Sequence, residues 1–205
     1  MKRALLPLWP VGLGLLACFL PWMESAGNTL TLNLWDLAEW CSINPLSRHA
    51  NIPLGASLGL RSLPLFLLAL AIWRDAMPTP LRMTLTLLTA IAVLPPPEFL
   101  LGDAGDPNHR QQLALGFVAL LCGFACRFPF VRRPLILRGT GLIAMAVAWL
   151  SLSAALALQK GLGLETHPGP GFLLFMFAML WLEVFGLQNI RATRHESPWR
   201  FLVGS

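Results

Sequence analysis

The sequence has no tyrosine and few charged residues. Asp, Glu, Lys and Arg make up only 12% of its 205 residues, against about 25% in an ordinary soluble domain. Hydrophobic residues make up 56%, and apolar runs of roughly 20 residues, long enough to cross a bilayer, recur along the chain. These features exclude an ordinary soluble domain and predict an all-α, polytopic integral membrane protein. With no tyrosine present, tryptophan would supply the aromatic belts at the membrane interfaces.

The sequence also lacks the motifs of common catalytic and cofactor-binding sites. It has no glycine-rich phosphate loop and no nucleophile elbow. No group of His, Cys and carboxylate residues has the spacing of a zinc site. All of the histidines lie in predicted loops or at helix ends, which argues against a haem held by intramembrane histidine. We therefore expect no catalytic residues, no metal and no cofactor.

The four cysteines form no evident disulfide framework. Three lie within apolar runs, and Cys41 alone lies in a predicted loop. Cys122 and Cys126 are four residues apart, so they share one face of a helix. This spacing would suit a soft-metal or redox pair. We favour the interpretation that they are small residues easing helix packing, because no other ligand type lies nearby.

Six apolar segments are predicted to be transmembrane helices, at about residues 4–23, 53–74, 80–101, 107–130, 135–159 and 170–190. The first resembles a signal sequence because it starts with basic residues and contains Leu15-Leu16-Ala17-Cys18. Its apolar run continues past Cys18, however, so we interpret it as a span and not as a cleaved leader. Small residues mark helix faces that would allow close packing: Gly116, Ala119, Gly123, Ala144 and Ala148.

The distribution of charge predicts the orientation of these helices. With the N-terminus in the cytoplasm, the predicted cytoplasmic segments hold eleven of the 15 Lys and Arg residues. This positive-inside asymmetry is typical of a bacterial plasma-membrane protein, here with both termini cytoplasmic. The net charge of +5 is thus a topology signal, and no nucleic-acid partner is expected.

The longest outer loop, at about residues 24–52, contains the segment NLWDLAEWCSINP. Asn33 would cap a short amphipathic helix with one apolar face, and Trp35 and Trp40 would suit the headgroup region. We expect this helix to lie on the outer membrane surface. Trp35, Asp36, Glu39 and Trp40 are candidates for docking a partner, Asp36 and Glu39 would suit a cation, and the favoured alternative is a lid over the helix ends.

Three consecutive prolines, Pro95, Pro96 and Pro97, interrupt the third predicted helix. Proline removes a backbone donor and clashes with the preceding turn, so three should break the helix. Broken backbone at membrane depth must be buried in protein or line a wet cavity. Glu98 would lie beside this break, and Arg61 would lie at a similar depth. We predict an Arg61–Glu98 ion pair, the alternative being that Arg61 snorkels to the surface and Glu98 is solvated.

Glu183 is a further charged residue whose predicted depth in the membrane is energetically unfavourable. It would be protonated, paired with Arg127 or Arg138, or hydrogen-bonded to Trp149, Ser151 or Ser153. A proton or ion relay is the more specific interpretation. A structural polar contact within the bundle or to another subunit is the simpler one, and we favour it.

The leading prediction for function is a non-enzymatic accessory, scaffold or assembly subunit of a larger membrane complex, with the lipid bilayer and other membrane subunits as partners. The alternative is a small transporter or channel, with Arg61, Glu98 and Glu183 along its path. An intramembrane enzyme acting on lipid is the weakest of the three.

Overall fold

The computed structural model describes residues 9–25, 30–49, 54–73, 77–97, 99, 105–132 and 134–195, without the side chains of 132, 134 and 185–195. This part of the chain is mostly helical, as predicted. Its α-helices are α1 (Trp9–Ala17), α2 (Leu34–Ile43), α3 (Pro45–Arg48), α4 (Gly55–Ile72), α5 (Thr79–Val93), α6 (Pro107–Ala125), α7 (Pro134–Gly161) and α8 (Pro170–His195). Its strands are β1 (Met23–Ser25), β2 (Thr31–Leu32) and β3 (Thr166–Pro168).

Side-chain caps and prolines set several of the helix starts. Asn33 accepts hydrogen bonds from the backbone N–H groups of Trp35 and Asp36 and so begins α2, as the sequence predicts. Asp106 accepts from the N–H of Asn108, and Pro107 occupies the first turn of α6, also as predicted. These starts are local properties of the sequence.

Three helices end well before their predicted ends. α5 ends at Val93 and not at 101, since Leu94 is extended and the prolines follow at once. α1 ends at Ala17 and not at 23, because the chain turns there and enters β1. Beyond α6, Pro129–Arg132 forms a 3-10 turn, so the helix predicted to reach 130 is also shorter.

A small antiparallel sheet, with strand order β2-β1-β3, was not predicted from the sequence. Met23 faces Leu32 on one side and Pro168 on the other. The strands have two or three residues each, too few to show the alternating pattern that marks a strand. The sheet joins the segment after α1 to the segment before α8.

Next to this sheet, the start of α8 is fastened to the end of α1. The N–H groups of Gly169 and Gly171 donate to the carbonyls of Trp22 and Pro21 at 2.9 and 2.7 Å. The indole N–H of Trp22 donates to the carbonyl of Ala17 at 2.8 Å. Backbone groups that a helix end would leave unpaired are thus satisfied.

α4 lies at the centre of the bundle and contacts α1, α2, α5, α6 and α7. α1 and α7 both pack on α8, and α5 packs on α6. The predicted small-residue faces lie in these contacts. Ala119, Ala144 and Ala148 are fully buried, and Gly123 faces Thr86 of α5.

Two of the described helices are long and apolar enough to cross a membrane, namely Gly55–Ile72 and Leu135–Gly161. Thr79–Val93 and Pro170–Val184 are also apolar but shorter.

Candidate functional site

The buried guanidinium of Arg61 is the centre of a polar cluster that joins three helices. Arg61 lies about two turns into α4 and is 5% exposed. Its Nη2 pairs with the carboxylate of Glu39 on α2, and its Nη1 donates to the side-chain oxygen of Asn108 on α6. One side chain therefore ties three helices together, as the several donors of a guanidinium allow.

Gln112 completes the cluster one turn further along α6. With its amide oriented by its neighbours, the Gln112 oxygen lies 3.1 and 2.9 Å from Nη1 and Nη2 of Arg61. The amide nitrogen then lies 3.2 Å from the backbone nitrogen of Pro95. The break after α5 therefore borders the Arg61 cluster, and Pro95 is buried there.

The carboxylate partner of Arg61 in the structure is Glu39, which the sequence analysis did not select for this role. Glu98 lies outside the described residues, so the Arg61–Glu98 pair stays a prediction. The alternative in which Arg61 snorkels to the surface is wrong, because its side chain is only 6% exposed.

α2 has the predicted apolar face, but this face packs on α4 of the same chain and not on a membrane surface, where the sequence analysis placed it. The residues on that face are fully buried or nearly so: Leu34, Leu37, Ala38 and Cys41. The helix packs on α4, so this face is covered by protein and not by lipid. Burial raises the pKa of the Cys41 thiol to about 12, against a smaller opposing effect of Arg61. Cys41 is therefore a protonated core residue at neutral pH.

The candidate docking residues of α2 are in different environments. Trp35 and Trp40 are half-buried and pack against the core. Glu39 contacts Arg61, and Asp36 is exposed. These contacts are those expected of a lid, and a docking role for the four residues stays a prediction.

A second ion pair joins α3, the short helix that follows α2, to the start of α6. Arg48 of α3 contacts the carboxylate of Asp106 at 3.2 Å. Burial alone would raise the pKa of Asp106, but the hydrogen bond from the Asn108 N–H and the pairing with Arg48 outweigh burial. They hold the pKa of this carboxyl below its ordinary value. Asp106 therefore stays ionised as both a helix cap and an ion-pair partner.

Glu183 on α8 is buried and contacts Arg138 of α7, with 3.2 Å between Oε2 and Nε. This is one of the alternatives left open by the sequence. Gly141, one turn beyond Arg138, faces the same carboxylate: a Cβ there would lie 2.6 Å from Oε1 of Glu183. The missing side chain at Gly141 makes the room for this pair.

Cys122 and Cys126 lie near Ile72 and Trp73, where α4 ends. The indole N–H of Trp73 donates to the carbonyl of Cys122 at 3.0 Å, and Cys126 Sγ lies 3.5 Å from the carbonyl of Ile72. Within the described ranges, no three His, Cys, Asp or Glu side chains converge as a metal site would require. The two cysteines lie in a helix contact, in keeping with the packing interpretation.

Asn108 and Gln112 are functional candidates that the sequence analysis missed. They are four residues apart at the start of an apolar helix, in the segment PNHRQQ, and so share one face. Buried polar side chains at such spacing require partners. The spacing of these two residues was therefore a usable signal, but it does not reveal that they lie around Arg61.

Comparison of the chain with protein-family models, with curated proteins and with solved structures finds no match.

Proposed function

We propose that the chain is a six-span helical membrane protein of a bacterial plasma membrane, with both termini in the cytoplasm and a cap of short elements on the outer face. Its function is non-enzymatic: it is an accessory or assembly subunit of a larger membrane complex. The main support for this topology is that loops far apart in the sequence contact one another at one end of the bundle.

Loops that the charge pattern assigns to the outer side contact one another. β1, in the first outer loop, pairs with β3, in the last. Arg48, also in the first, contacts Asp106, in the loop that precedes α6. A six-span alternation requires all these loops to share one side, and these contacts support it.

Segments assigned to the inner side also contact one another. Trp73 at the end of α4 bonds to Cys122 near the end of α6. Arg138, near the start of α7, pairs with Glu183. If any one of α4, α5, α6 or α7 did not span, some of the partners in these contacts would lie on opposite sides of the membrane.

The surface of the helices supports a lipid environment. In the apolar window of Leu135–Gly161 only 33% of residues are buried, against 72% for Gly55–Ile72. Large apolar side chains therefore point outward along α7. Exposed ones occur on α5 and α8 as well, including Leu88, Ile91, Leu173 and Leu180. Soluble monomers rarely expose contiguous apolar surface on this scale.

The partners of the buried charged residues favour the role as a subunit. Arg61 and Glu183 each pair with another residue of this chain. Both pairs link separate helices, and removing one partner of such a pair is destabilising. The buried charges thus serve the bundle itself, and the outward apolar faces are free to contact lipid or neighbouring subunits.

A small transporter or channel is the second candidate, and one observation favours it. The buried ion pairs of Arg61 and Glu183 lie towards opposite ends of the bundle, and α5 is broken beside the first. A charged solute that crosses the membrane could bind in turn at these two ion pairs. Flux of a solute through liposomes that is lost in Glu183→Gln would favour this candidate.

The topology is tested by cysteine labelling. In a variant without the four native cysteines, single cysteines replace Asp36, Lys160, Arg127 or Phe130, all exposed. An impermeant maleimide applied to intact cells should label positions 36 and 160. Positions 127 and 130 should react only after permeabilisation. Labelling of 36 and 127 from the same side would contradict six spans.

The role as a subunit is tested by purifying the tagged protein from its own host in mild detergent, followed by mass spectrometry. One or more membrane proteins should copurify at fixed stoichiometry. Variants that replace outward apolar residues, such as Leu88→Ala with Ile91→Ala, should lose that partner if α5 is the contact, and Leu173→Ala with Leu180→Ala serves as the matched control on α8. Recovery of the chain alone or as a homo-oligomer would contradict this role.

A further inference from the structure

A row of exposed aromatic side chains lies where α6 ends and the chain turns towards α7. The ring centroids of Phe124 and Phe128 are 5.8 Å apart, and those of Phe128 and Phe130 are 5.9 Å apart. All three side chains are exposed. The rings pack on one another and still leave an apolar surface that is open to a partner.

Arg127 adds a cation to this row. Its guanidinium carbon lies 5.1 Å from the centroid of the Phe124 ring, a cation–π contact that holds the charge beside the aromatic side chains. Arg127 is exposed and forms no ion pair with another described residue. Its N–H groups are therefore available to an anion. We call Phe124, Arg127, Phe128 and Phe130 the aromatic–arginine cluster.

The sequence around this cluster is basic. The segment CRFPFVRR, at residues 126–133, contains three arginines, and no Asp or Glu occurs between Asp106 and Glu165. Glu183 of α8 is already paired with Arg138. The positive charge of the cluster is thus not neutralised by α6, by the turn that follows it or by α7, and it favours an anionic partner.

The cluster continues into an apolar face of α6. Phe117 and Leu121 precede Phe124 at spacings of four and three residues, so the three lie on one side of the helix. Phe117 and Leu121 are exposed as well. An open apolar strip therefore leads along α6 to a cation at its end. This order corresponds to the acyl chains and the phosphate of a lipid.

We propose that the aromatic–arginine cluster binds an anionic phospholipid at the inner surface of the membrane. The phosphate accepts hydrogen bonds from the guanidinium of Arg127, as phosphates do from arginine in general. The acyl chains follow the apolar strip of α6. The assignment to the inner leaflet rests on the proposed six-span topology, whereas the preference for an anionic lipid does not.

Charge selects an anionic lipid over a zwitterionic one. Phosphatidylcholine carries an ammonium group of its own, which would lie among the arginines of the turn and be repelled by them. Phosphatidylglycerol has the same phosphodiester with an uncharged head, so it brings one negative charge and no cation. Basic segments next to transmembrane helices attract such lipids. The acidic surface of a soluble protein would match the arginines but would leave the apolar strip uncovered.

The test is photo-crosslinking of the purified full-length protein in a neutral detergent. Phosphatidylglycerol and phosphatidylcholine, each with the same diazirine-bearing acyl chain, are added separately below saturation, and mass spectrometry maps the modified residues. We expect phosphatidylglycerol to react mainly within residues 117–135, and phosphatidylcholine to react there much less. Excess sodium glycerol phosphate should not compete, because it has no acyl chains. Full competition by it would assign the site to a free phosphate and overturn the lipid site.

Matched variants separate the cluster from the general charge of the protein. Arg127→Gln should lower the phosphatidylglycerol yield about fivefold, as expected for one cation near an anionic lipid. Lys160→Gln removes an exposed cation from the far end of the 28-residue helix α7, about 40 Å away, and should not change the yield. Phe128→Ala with Phe130→Ala should lower the yield, whereas Phe19→Ala, an exposed aromatic residue beyond α1, should not.

Equal yields for the two lipids, or an unchanged yield in Arg127→Gln, would overturn the proposal. All of these residues are exposed, so the variants should fold, and an unchanged melting temperature verifies this. Both ends of the protein are accessible in detergent, so this result does not depend on orientation. Maleimide labelling that contradicts six spans would therefore move the site to the other leaflet without removing it, and a failed crosslink would leave the topology standing.

Discussion

Gly141 of α7 and Glu183 of α8 are complementary in shape: a Cβ built at Gly141 would lie 2.6 Å from Oε1 of the glutamate. Arg138 is one turn earlier on α7 and contacts the other carboxylate oxygen at 3.2 Å. The buried carboxylate therefore has a cation on one side and an empty position on the other. The pair depends on a residue that carries no side chain.

Gly141→Ala should consequently destabilise the protein by about 1–3 kcal/mol, the usual cost of overpacking a buried contact. The added methyl group would push Glu183 away from Arg138. Gly139→Ala is a matched control, because a Cβ at Gly139 meets nothing within 4 Å. It should be neutral or slightly stabilising, since alanine favours a helix over glycine by about 0.5–1 kcal/mol. Unfolding in detergent measures both, and equal effects would contradict this account.

Properties carried by short stretches of sequence were predictable. Asn33 and Asp106 were expected as caps, and each accepts the hydrogen bonds of a cap. The prolines at 95–97 were expected to end a helix, and α5 ends at Val93. Each of these depends on a few neighbouring residues and on backbone chemistry alone.

Arg61 and Glu39 should be energetically coupled. We expect the double variant Arg61→Met with Glu39→Gln to be more stable than the sum of the single changes predicts, by about 1–3 kcal/mol. The physical reason is that Glu39→Gln alone leaves a buried guanidinium without its counter-charge. Unfolding of the four proteins of the cycle in detergent measures the coupling.

The control for this cycle pairs Arg61→Met with Asp36→Asn. Asp36 lies on the same helix as Glu39, but the described carboxylate contact of Arg61 is with Glu39, so the coupling of Asp36 to Arg61 should be close to zero. A coupling as large as that of Glu39 would indicate a general field effect and contradict a specific pair.

Contacts between distant segments were not predictable in the same way. The sequence analysis paired Arg61 with Glu98, which lies outside the described residues, and did not select Glu39, because sequence does not rank acids by distance. Glu39 reaches Arg61 because α2 folds back over α4. The pairing of β1 with β3 has the same origin, since the strands lie at opposite ends of the chain and are too short to be recognised.

The contact between α4 and α7 provides a further prediction. A Cβ at Gly59 would lie 1.9 Å from Oγ and 3.0 Å from Cβ of Ser151. Gly59→Ala should therefore destabilise the protein by about 1–3 kcal/mol. Adding Ser151→Gly should restore part of that loss, because it removes both atoms. Gly12→Ala, where nothing lies within 4 Å, should have little effect. The absence of any rescue would show that the helices do not meet at this point.

Acid should destabilise the contact between α3 and α6 through protonation of Asp106. Its pKa is held below the ordinary value of about 3.9 by the Asn108 N–H and by Arg48, in opposition to burial. A carboxyl with a lowered folded-state pKa stabilises the protein fully above the unfolded value, and the effect is lost as pH falls through the folded value. Melting temperature should thus fall as the pH is lowered from about 5.

Variants at position 106 distinguish the effect of the Asp106 charge from its effect as the N-terminal cap of α6. Asp106→Asn keeps a good helix cap but has no proton to gain, so it should lose this part of the pH dependence. Asp106→Ala removes the cap as well and should cost about 1 kcal/mol even at neutral pH. Arg48→Gln should weaken the acid sensitivity while leaving the helix cap intact, because it removes one of the groups that lower the pKa of Asp106. If Asp106→Asn keeps the full acid dependence of the unchanged protein, the loss of stability in acid arises elsewhere in the chain.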